Sequence, residues 1–497
     1  MDSTEPPVVV TNPRRLWIAL LAGLVCALGL TISLGLATST PHGAADNGDG
    51  IRLYCGAGLR PDTAEGTSAW QPGVVLSYLQ AAPCPGPPPS SALVALEAAD
   101  RLNPAEVFDL RTLAWIYVGV ASAITAVGAW AVTGRGWNRL AILLPGLVAL
   151  LTPDFGRFLL STYGEPAGLI GAYGFVTGVA VLLVTSPADR WPRILALGLV
   201  VVGSIWAVSA KVAYAPMLLL AVAVALCIGI GTPRPRWRAH VAGGLAALLL
   251  LVAGGALVRD AAHWQYRLYK GTNVQNLIYT LVLTEIPGSA TELGLPPAAQ
   301  RLAGTPRPLL TPDQPGLAQI DNDPTAYRAR ATSLLLQHPT VALRAVGVGL
   351  QATAGSDLHY LVWWPLGAQP DNVAGVTKEE SAGAAGSDPV SLRNWLAEMP
   401  TPWFPTALVV VGLVAGVFGL LRRRSRPSPP AVLAGIAALA GLGLVVASLG
   451  DGYFEIAKHV WLGAFFLRVA LWSLVGAVLM LLVSLVFPLR RVPAPRV

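Results

Sequence analysis

Ten stretches of the chain are apolar almost without interruption, and polar residues gather between them. They lie at about 16–37, 112–133, 138–152, 166–185, 193–210, 215–231, 239–258, 405–421, 430–449 and 460–487. A helix needs about 20 apolar residues to cross the hydrocarbon core, and these stretches meet or approach that length. The pattern predicts an all-α, polytopic membrane protein with about ten transmembrane helices; the third span is short and carries Pro145. Every second loop is basic, holding Arg14 and Arg15, Arg135 and Arg139, Arg190 and Arg193, Arg234 to Arg238, Arg422 to Arg426, and Arg490 and Arg491. The remaining short loops carry Asp154, Glu165, Asp451 and Glu455. Basic loops stay cytoplasmic, so the N and C termini are both expected inside.

Five regions follow. They are a cytoplasmic N-terminus (1–15), a module of about seven helices (16–258) with an extracytoplasmic loop (38–111), a mostly helical extracytoplasmic region (259–404), C-terminal helices (405–487) and a cytoplasmic tail (488–497). In the first outer loop, Ala92, Ala95, Leu96 and Ala99 share one helical face while Glu97, Asp100 and Arg101 share another, which predicts an amphipathic helix over 90–102 suited to a membrane surface. In the second, helices are expected over 264–283 and 324–353, with Gly/Pro-rich sequence between them and a loop over 368–388. No repeat of 20–50 residues and no domain with alternating strand pattern is evident.

Composition sharpens this picture. With 54% hydrophobic and 12% charged residues, the chain falls well below the charge content of soluble proteins. The net charge of +7 comes from arginines in short loops, a topology signal that gives no reason to expect nucleic acid. The first span is too long for a signal-peptide core and is read as a retained anchor. Of four cysteines, Cys26 and Cys227 lie in spans as packing residues, whereas Cys55 and Cys84 share the first outer loop, where an oxidising compartment permits a disulfide. Richness in Ala, Gly and Arg with only four lysines suggests a GC-rich bacterial genome, hence a bacterial plasma membrane.

Three outer clusters carry candidate chemistry. The first is Asp46-Asn47-Gly48-Asp49-Gly50-Ile51-Arg52, where glycines let the backbone turn and expose Asp49. The second holds Asp154, Arg157, Tyr163 and Glu165; the third holds Asp451, Glu455, Lys458 and His459. Ionisable groups at this depth are costly unless paired or used. The plain alternatives are a solvated Asn-Gly turn, a salt-bridged helix cap and a simple Glu–Lys pair. Arg259, Arg267, Lys270, His338 and His359 are weaker candidates for phosphate or sugar, and Trp363, Trp364, Trp395 and Trp403 suit an interfacial belt or sugar stacking. No His/Cys spacing specifies a metal, and no Walker loop, GxGxxG turn or nucleophile elbow supports an ATP-driven pump or acyl hydrolase.

These clusters resemble the GT-C class of integral-membrane glycosyltransferases, and most closely the WsfD-type glycan-biosynthesis hexose (mannosyl) transferases. Asn47 to Arg52 is similar to their first-loop acidic motif, Ser161-Thr162-Tyr163-Gly164-Glu165-Pro166 to their Tyr-x-Glu-Pro element, and Gly450 to His459 and Glu292 to Pro297 are similar to further elements. The layout matches the class in its first-loop aspartate, its second-loop acids and its large loop after span seven. It departs in lacking an Asp-x-Asp in the second loop, so a divalent cation (Mg or Mn) is left open as cofactor. The resemblance implies inverting transfer of a hexose from a polyprenyl-phosphate donor to an extracytoplasmic glycan, lipid or protein acceptor. Asp49 would be the general base with Asp46 beside it. Asp154, Tyr163 and Glu165 would bind substrate, and Arg52, Arg157, Lys458 and His459 would hold the leaving phosphate.

Rival readings are an O-antigen-ligase-like enzyme or polymerase resting on Arg and His of the long loop, a transporter or lipid flippase, and a non-catalytic scaffold. Transport calls for charge inside the spans, yet Lys211 and Arg468 read as lying near span ends.

Overall fold

The structure, a computed structural model, describes residues 13–39, 41–45, 48–63, 74–134, 136–231, 236–354, 403–421 and 428–486. Asp46, His359, Trp363, Trp364, Trp395 and the 368–388 loop lie outside the described residues.

Among the described residues, eight helices are long and apolar enough to cross a membrane. Among the elements used below are α1 (Pro13–Leu34), α2 (Ile51–Tyr54), α3 (Ser91–Leu102), α4 (Arg111–Thr133), α5 (Trp137–Leu151), α6 (Glu165–Val184), α7 (Arg190–Ala210), α8 (Val212–Leu226), α9 (Trp237–Glu285), α10 (Pro324–Gln337), α11 (Pro339–Ala352), α12 (Phe404–Leu421), α13 (Pro429–Ser448) and α14 (Trp461–Val486). The shorter apolar α5 and α8 stand at the expected third and sixth spans.

At the centre α6 packs antiparallel on α7. Both approach so closely that a Cβ at Gly171 would meet the Gly203 carbonyl oxygen at 2.4 Å, and one at Gly203 would meet the Gly171 oxygen at 2.6 Å. Within lipid, where apolar side chains gain little by leaving the surroundings, such backbone proximity is a main source of helix association. The contact brings the first residue of α6, Glu165, beside Lys211, which follows the end of α7.

The structure departs from the sequence pattern at several points. Span seven does not end near 258: α9 runs unbroken for 49 residues, about 70 Å, because Arg259 and Asp260 are compatible with a helix and no proline intervenes. The helix expected over 324–353 is divided at His338 into α10 and α11, since Pro339 lacks the N–H to continue the ladder. The loop between α1 and α4 contains a small antiparallel sheet, β1 (Leu59–Pro61), β2 (Ser77–Gln80) and β3 (Val107–Asp109), in that order. Strands of three or four residues are too short for an alternating pattern to register. The amphipathic α3 lays its alanine face on protein: Ser90 Oγ donates to the Ala210 oxygen at 3.2 Å and Ser91 Oγ to the Trp206 oxygen at 2.8 Å. Cys227 is exposed at the end of α8, whereas Cys26 is buried as expected. Arg468 is also not at a span end. It sits seven residues into α14, 1% exposed, and donates to the Ala354 oxygen at 3.4 Å just past α11, where a cation complements a helix C-terminus.

Cys55 and Cys84 form a disulfide with a Cα separation of 5.3 Å, tying α2 to the proline-rich stretch that runs into α3. Closing a 29-residue separation restricts the unfolded chain by about 3–4 kcal/mol in the loop-entropy model. Cys55→Ser is therefore expected to lower the thermal midpoint of the detergent-purified protein at pH 7, and a reducing agent should lower wild type to the same value.

Candidate functional site

One end of the bundle gathers Glu165 from α6, Lys211 from the α7–α8 turn, α2 of the first loop, the middle of α9 and the turn between α13 and α14. Together they line a cavity of about 240 Å³. Asp49, Arg52, Tyr163, Glu165, Lys211, Trp264, Tyr269, Asn276, Asp451, Glu455 and His459 contribute to its wall.

Asp49 is clamped by two cations. Arg52 Nη2 donates to its Oδ1 at 2.7 Å, and Lys458 Nζ donates to its Oδ2. Arg52 is held in turn over the Tyr269 ring at 4.4 Å. Lys458 is buried, with the Tyr163 ring 5.0 Å away and a Glu455 oxygen at 3.8 Å. Burial works to raise the Asp49 pKa, but Lys458 and Arg52 outweigh it and hold the carboxyl well below its ordinary value. Tyr163 donates to the Ala45 oxygen at 2.6 Å, fixing the chain just before this turn.

A second pair lies beside the first. Lys211 Nζ donates to Glu165 Oε1 at 2.9 Å, the carboxylate being 4% exposed. Lys211 is one site residue that its position in the sequence did not reveal. Its signal was its rarity, one lysine among four, placed directly after an apolar run.

The third group comes from the α13–α14 turn. Gly452 has φ +65°, and a Cβ there would meet Thr280 Oγ1 at 2.4 Å and the Asn276 oxygen at 2.6 Å. The turn thus docks flush on α9, with the Tyr453 N–H donating to Thr280 Oγ1 at 2.8 Å. Asp451 consequently faces Asn276, whose Nδ2 donates to Oδ1 at 3.4 Å, and His459, whose Nε2 lies 3.7 Å from Oδ2. Glu455, at φ +46°, is the one described non-glycine residue in the left-handed region, a conformation costing about 1–2 kcal/mol. Its carbonyl accepts from the N–H groups of Lys458 and His459, which turns these neighbours into the site.

Not every candidate converges. Asp154 and Arg157 are absent from the cavity wall. The Asp154 carbonyl accepts from Trp461 Nε1 at 2.8 Å, and Phe155 and Phe158 pack on that indole, so this segment anchors α14. Arg157 is buried beside Phe158. Glu292 to Pro297 forms a turn outside the cavity wall. His459 does line the cavity, but not as a phosphate cation. Burial first, then the nearby ammonium groups of Lys211 and Lys458, push its pKa down to about 3, so the imidazole is neutral at pH 7. Among the described residues no three His, Cys, Asp or Glu side chains converge as metal ligands. Asp49 and Glu165 are paired instead with Arg52, Lys458 and Lys211.

Apolar spans, buried charge pairs and a cavity at the helix ends define a multi-pass membrane protein. The chain belongs to the family of the YfdI N-terminal transmembrane domain, whose family model matches residues 11–305, more than half of its length. That match includes Asp49, Glu165, Lys211 and the α9 wall, while Asp451 to His459 lie beyond it. Comparison with curated proteins and with solved structures gives no match.

The clamp on Asp49 makes a pH-dependent prediction. A carboxyl whose folded-state pKa is depressed stabilises the fold above its unfolded value, roughly pH 4, and that stabilisation is lost as the pH falls below it. Lys458→Met is expected to lower stability by about 1–2 kcal/mol at pH 7 and to flatten the loss on acidification. Thermal melts across pH in detergent measure both effects.

Proposed function

We propose that the protein is a GT-C-like hexosyltransferase of the bacterial plasma membrane. It transfers a sugar, with mannose the leading candidate, from a polyprenyl-phosphate donor to a glycan, lipid or protein hydroxyl on the extracytoplasmic face. The observation that carries this reading is the cavity at the helix ends lined by Asp49, Arg52, Glu165 and Lys211, with Lys458 paired to Asp49.

Paired charges there suit an exchange of partners. A donor phosphate offers oxygens to Arg52 and Lys211, and Asp49, losing part of its cation clamp, regains basicity. The acceptor oxygen then attacks C1 of the hexose while Asp49 takes its proton. The C1–O bond to phosphate breaks, its electron pair leaves with the polyprenyl phosphate, and a single displacement inverts the anomeric centre. Arg52 and Lys211 stabilise the charge that develops on the departing phosphate. Tyr163 and Glu165 position the groups around them, and the polyprenyl tail remains in lipid.

Asp49→Asn keeps the side-chain volume and removes the base. Transfer from a polyprenyl-phosphate-hexose pool in membranes is expected to fall by about 10²–10⁴-fold at normal protein abundance. Full transfer in the variant would remove Asp49 as base, and an inactive wild type with each hexose donor supplied would overturn the transferase reading.

A further inference from the structure

Four carboxylates line the cavity, and they are not equivalent. Asp49 is paired with Arg52 and Lys458, Glu165 with Lys211, and Glu455 lies 3.8 Å from Lys458. Asp451 differs. Among the described residues its one ion-pair contact within 4 Å is with His459 at 3.7 Å, the Arg328 guanidinium acts on it from further away, and its hydrogen-bond donor is the Asn276 amide. Neutral polar groups continue along α9, where Thr272 and Asn273 also face the cavity.

We infer that Asp451, Asn276 and His459 form the subsite that binds the hydroxyls of the donor's sugar ring, apart from the cations that hold its phosphate. This rests on the transferase reading above. A sugar hydroxyl is one donor and a two-fold acceptor. A carboxylate accepts from two neighbouring hydroxyls, an amide donates or accepts, and a neutral imidazole offers one donor and one acceptor. His459 is neutral because burial and two ammonium groups keep it so. A phosphate would gain nothing from Asp451, whereas a ring hydroxyl finds an acceptor there; burial raises the Asp451 pKa to about 7, so the carboxyl accepts when ionised and also donates when protonated.

The subsite is also rigid. Asn276 is 1% exposed, and its Oδ1 accepts from the Arg307 N–H at 2.8 Å, which sets the direction of the amide. Gly452 and the Tyr453–Thr280 bond seat Asp451 against α9. Ser448 Oγ donates to the His459 oxygen at 2.8 Å, pinning the other side. Side-chain exposures of 17% for Asp451 and 19% for His459 leave both reachable from the cavity but largely out of water. Fixed donors and acceptors of this kind discriminate epimers, because a misplaced hydroxyl leaves buried polar groups unpaired.

The test uses the purified full-length protein and two probes, polyprenyl phosphate alone and polyprenyl phosphate bearing mannose, glucose or galactose. At pH 8, where the Asp451 carboxyl is mostly ionised, Asp451→Asn is expected to weaken the preferred sugar-bearing probe about 10- to 100-fold, the equivalent of one or two lost charge-assisted hydrogen bonds. Binding of polyprenyl phosphate alone should stay within about twofold, so the margin between hexoses narrows. His459→Gln, which adds no charge, is expected to give the same pattern and serves if the first variant does not fold. Unchanged preference among the hexoses, or equal loss of both probes, overturns the subsite. A wild type that binds neither probe overturns the transferase reading and the subsite with it, an outcome visible before any variant is made.

Discussion

The ammonium of Lys458, only 2% exposed, reaches the carboxylate of Asp49 across 409 positions of sequence. An isolated ammonium at that depth would cost several kcal/mol in lost hydration, so the chain beyond α13 and the loop between α1 and α4 are bound to one geometry. The other placements depend on it. The strained Glu455 turn directs Lys458 toward Asp49 and His459 into the cavity. Arg52, stacked on Tyr269 of α9, completes the clamp and links the first loop to the long helix. The disulfide then holds the α2 segment that carries Arg52 against the stretch leading to α3.

A second constraint is the glycine-lined approach of α6 and α7. Because both helices are antiparallel and cannot slide without driving a backbone oxygen into a neighbour, their ends are level, and Glu165 meets Lys211 at 2.9 Å. Larger residues at Gly171 or Gly203 would part the helices and separate a pair whose anion is 4% exposed. Packing in the membrane interior thus sets the electrostatics at its surface. Glu165 and Lys211 stand at helix ends, outside the apolar runs, and the glycines decide how closely they meet there.

The spans and most of the site were legible because each leaves a signal in linear order. Apolar runs of membrane length gave the helices, and the Cys55–Cys84 pair stood out as two cysteines in one outer loop. Asp49, Tyr163, Glu165 and the Asp451–His459 segment were visible as polar residues flanking apolar runs, and they do meet. What was missed depends on three-dimensional neighbours. Asp154 and Arg157 occupy the same kind of flank as Glu165, yet Trp461 and Phe158 draw their segment away from the cavity. Lys211 looked like a span terminus until Glu165 stood opposite it. Asn276 is an amide in the middle of a helix, with no local pattern to mark it, and becomes a site residue only because Gly452 lets a distant turn settle on α9. The charge of His459 was unreadable for the same reason: its identity suggests a cation, whereas burial beside Lys211 and Lys458 keeps it neutral.

In the transferase reading, the paired state described here is a resting state with a built-in order of events. While Lys458 and Arg52 hold Asp49 well below its ordinary pKa, the carboxylate is a poor proton acceptor, and an acceptor hydroxyl arriving first finds no base. A phosphate that competes for Arg52 removes part of that clamp and raises the basicity of Asp49 at the moment the anomeric carbon is in place. Lys458, buried and close to Glu455 as well, stays behind to limit the rise. The exchange spares the site the desolvation of bringing a new anion to a bare cation, since one anion replaces another in the same coordination. Charge pairing therefore serves stability without substrate and timing with it, and the same two cations account for both.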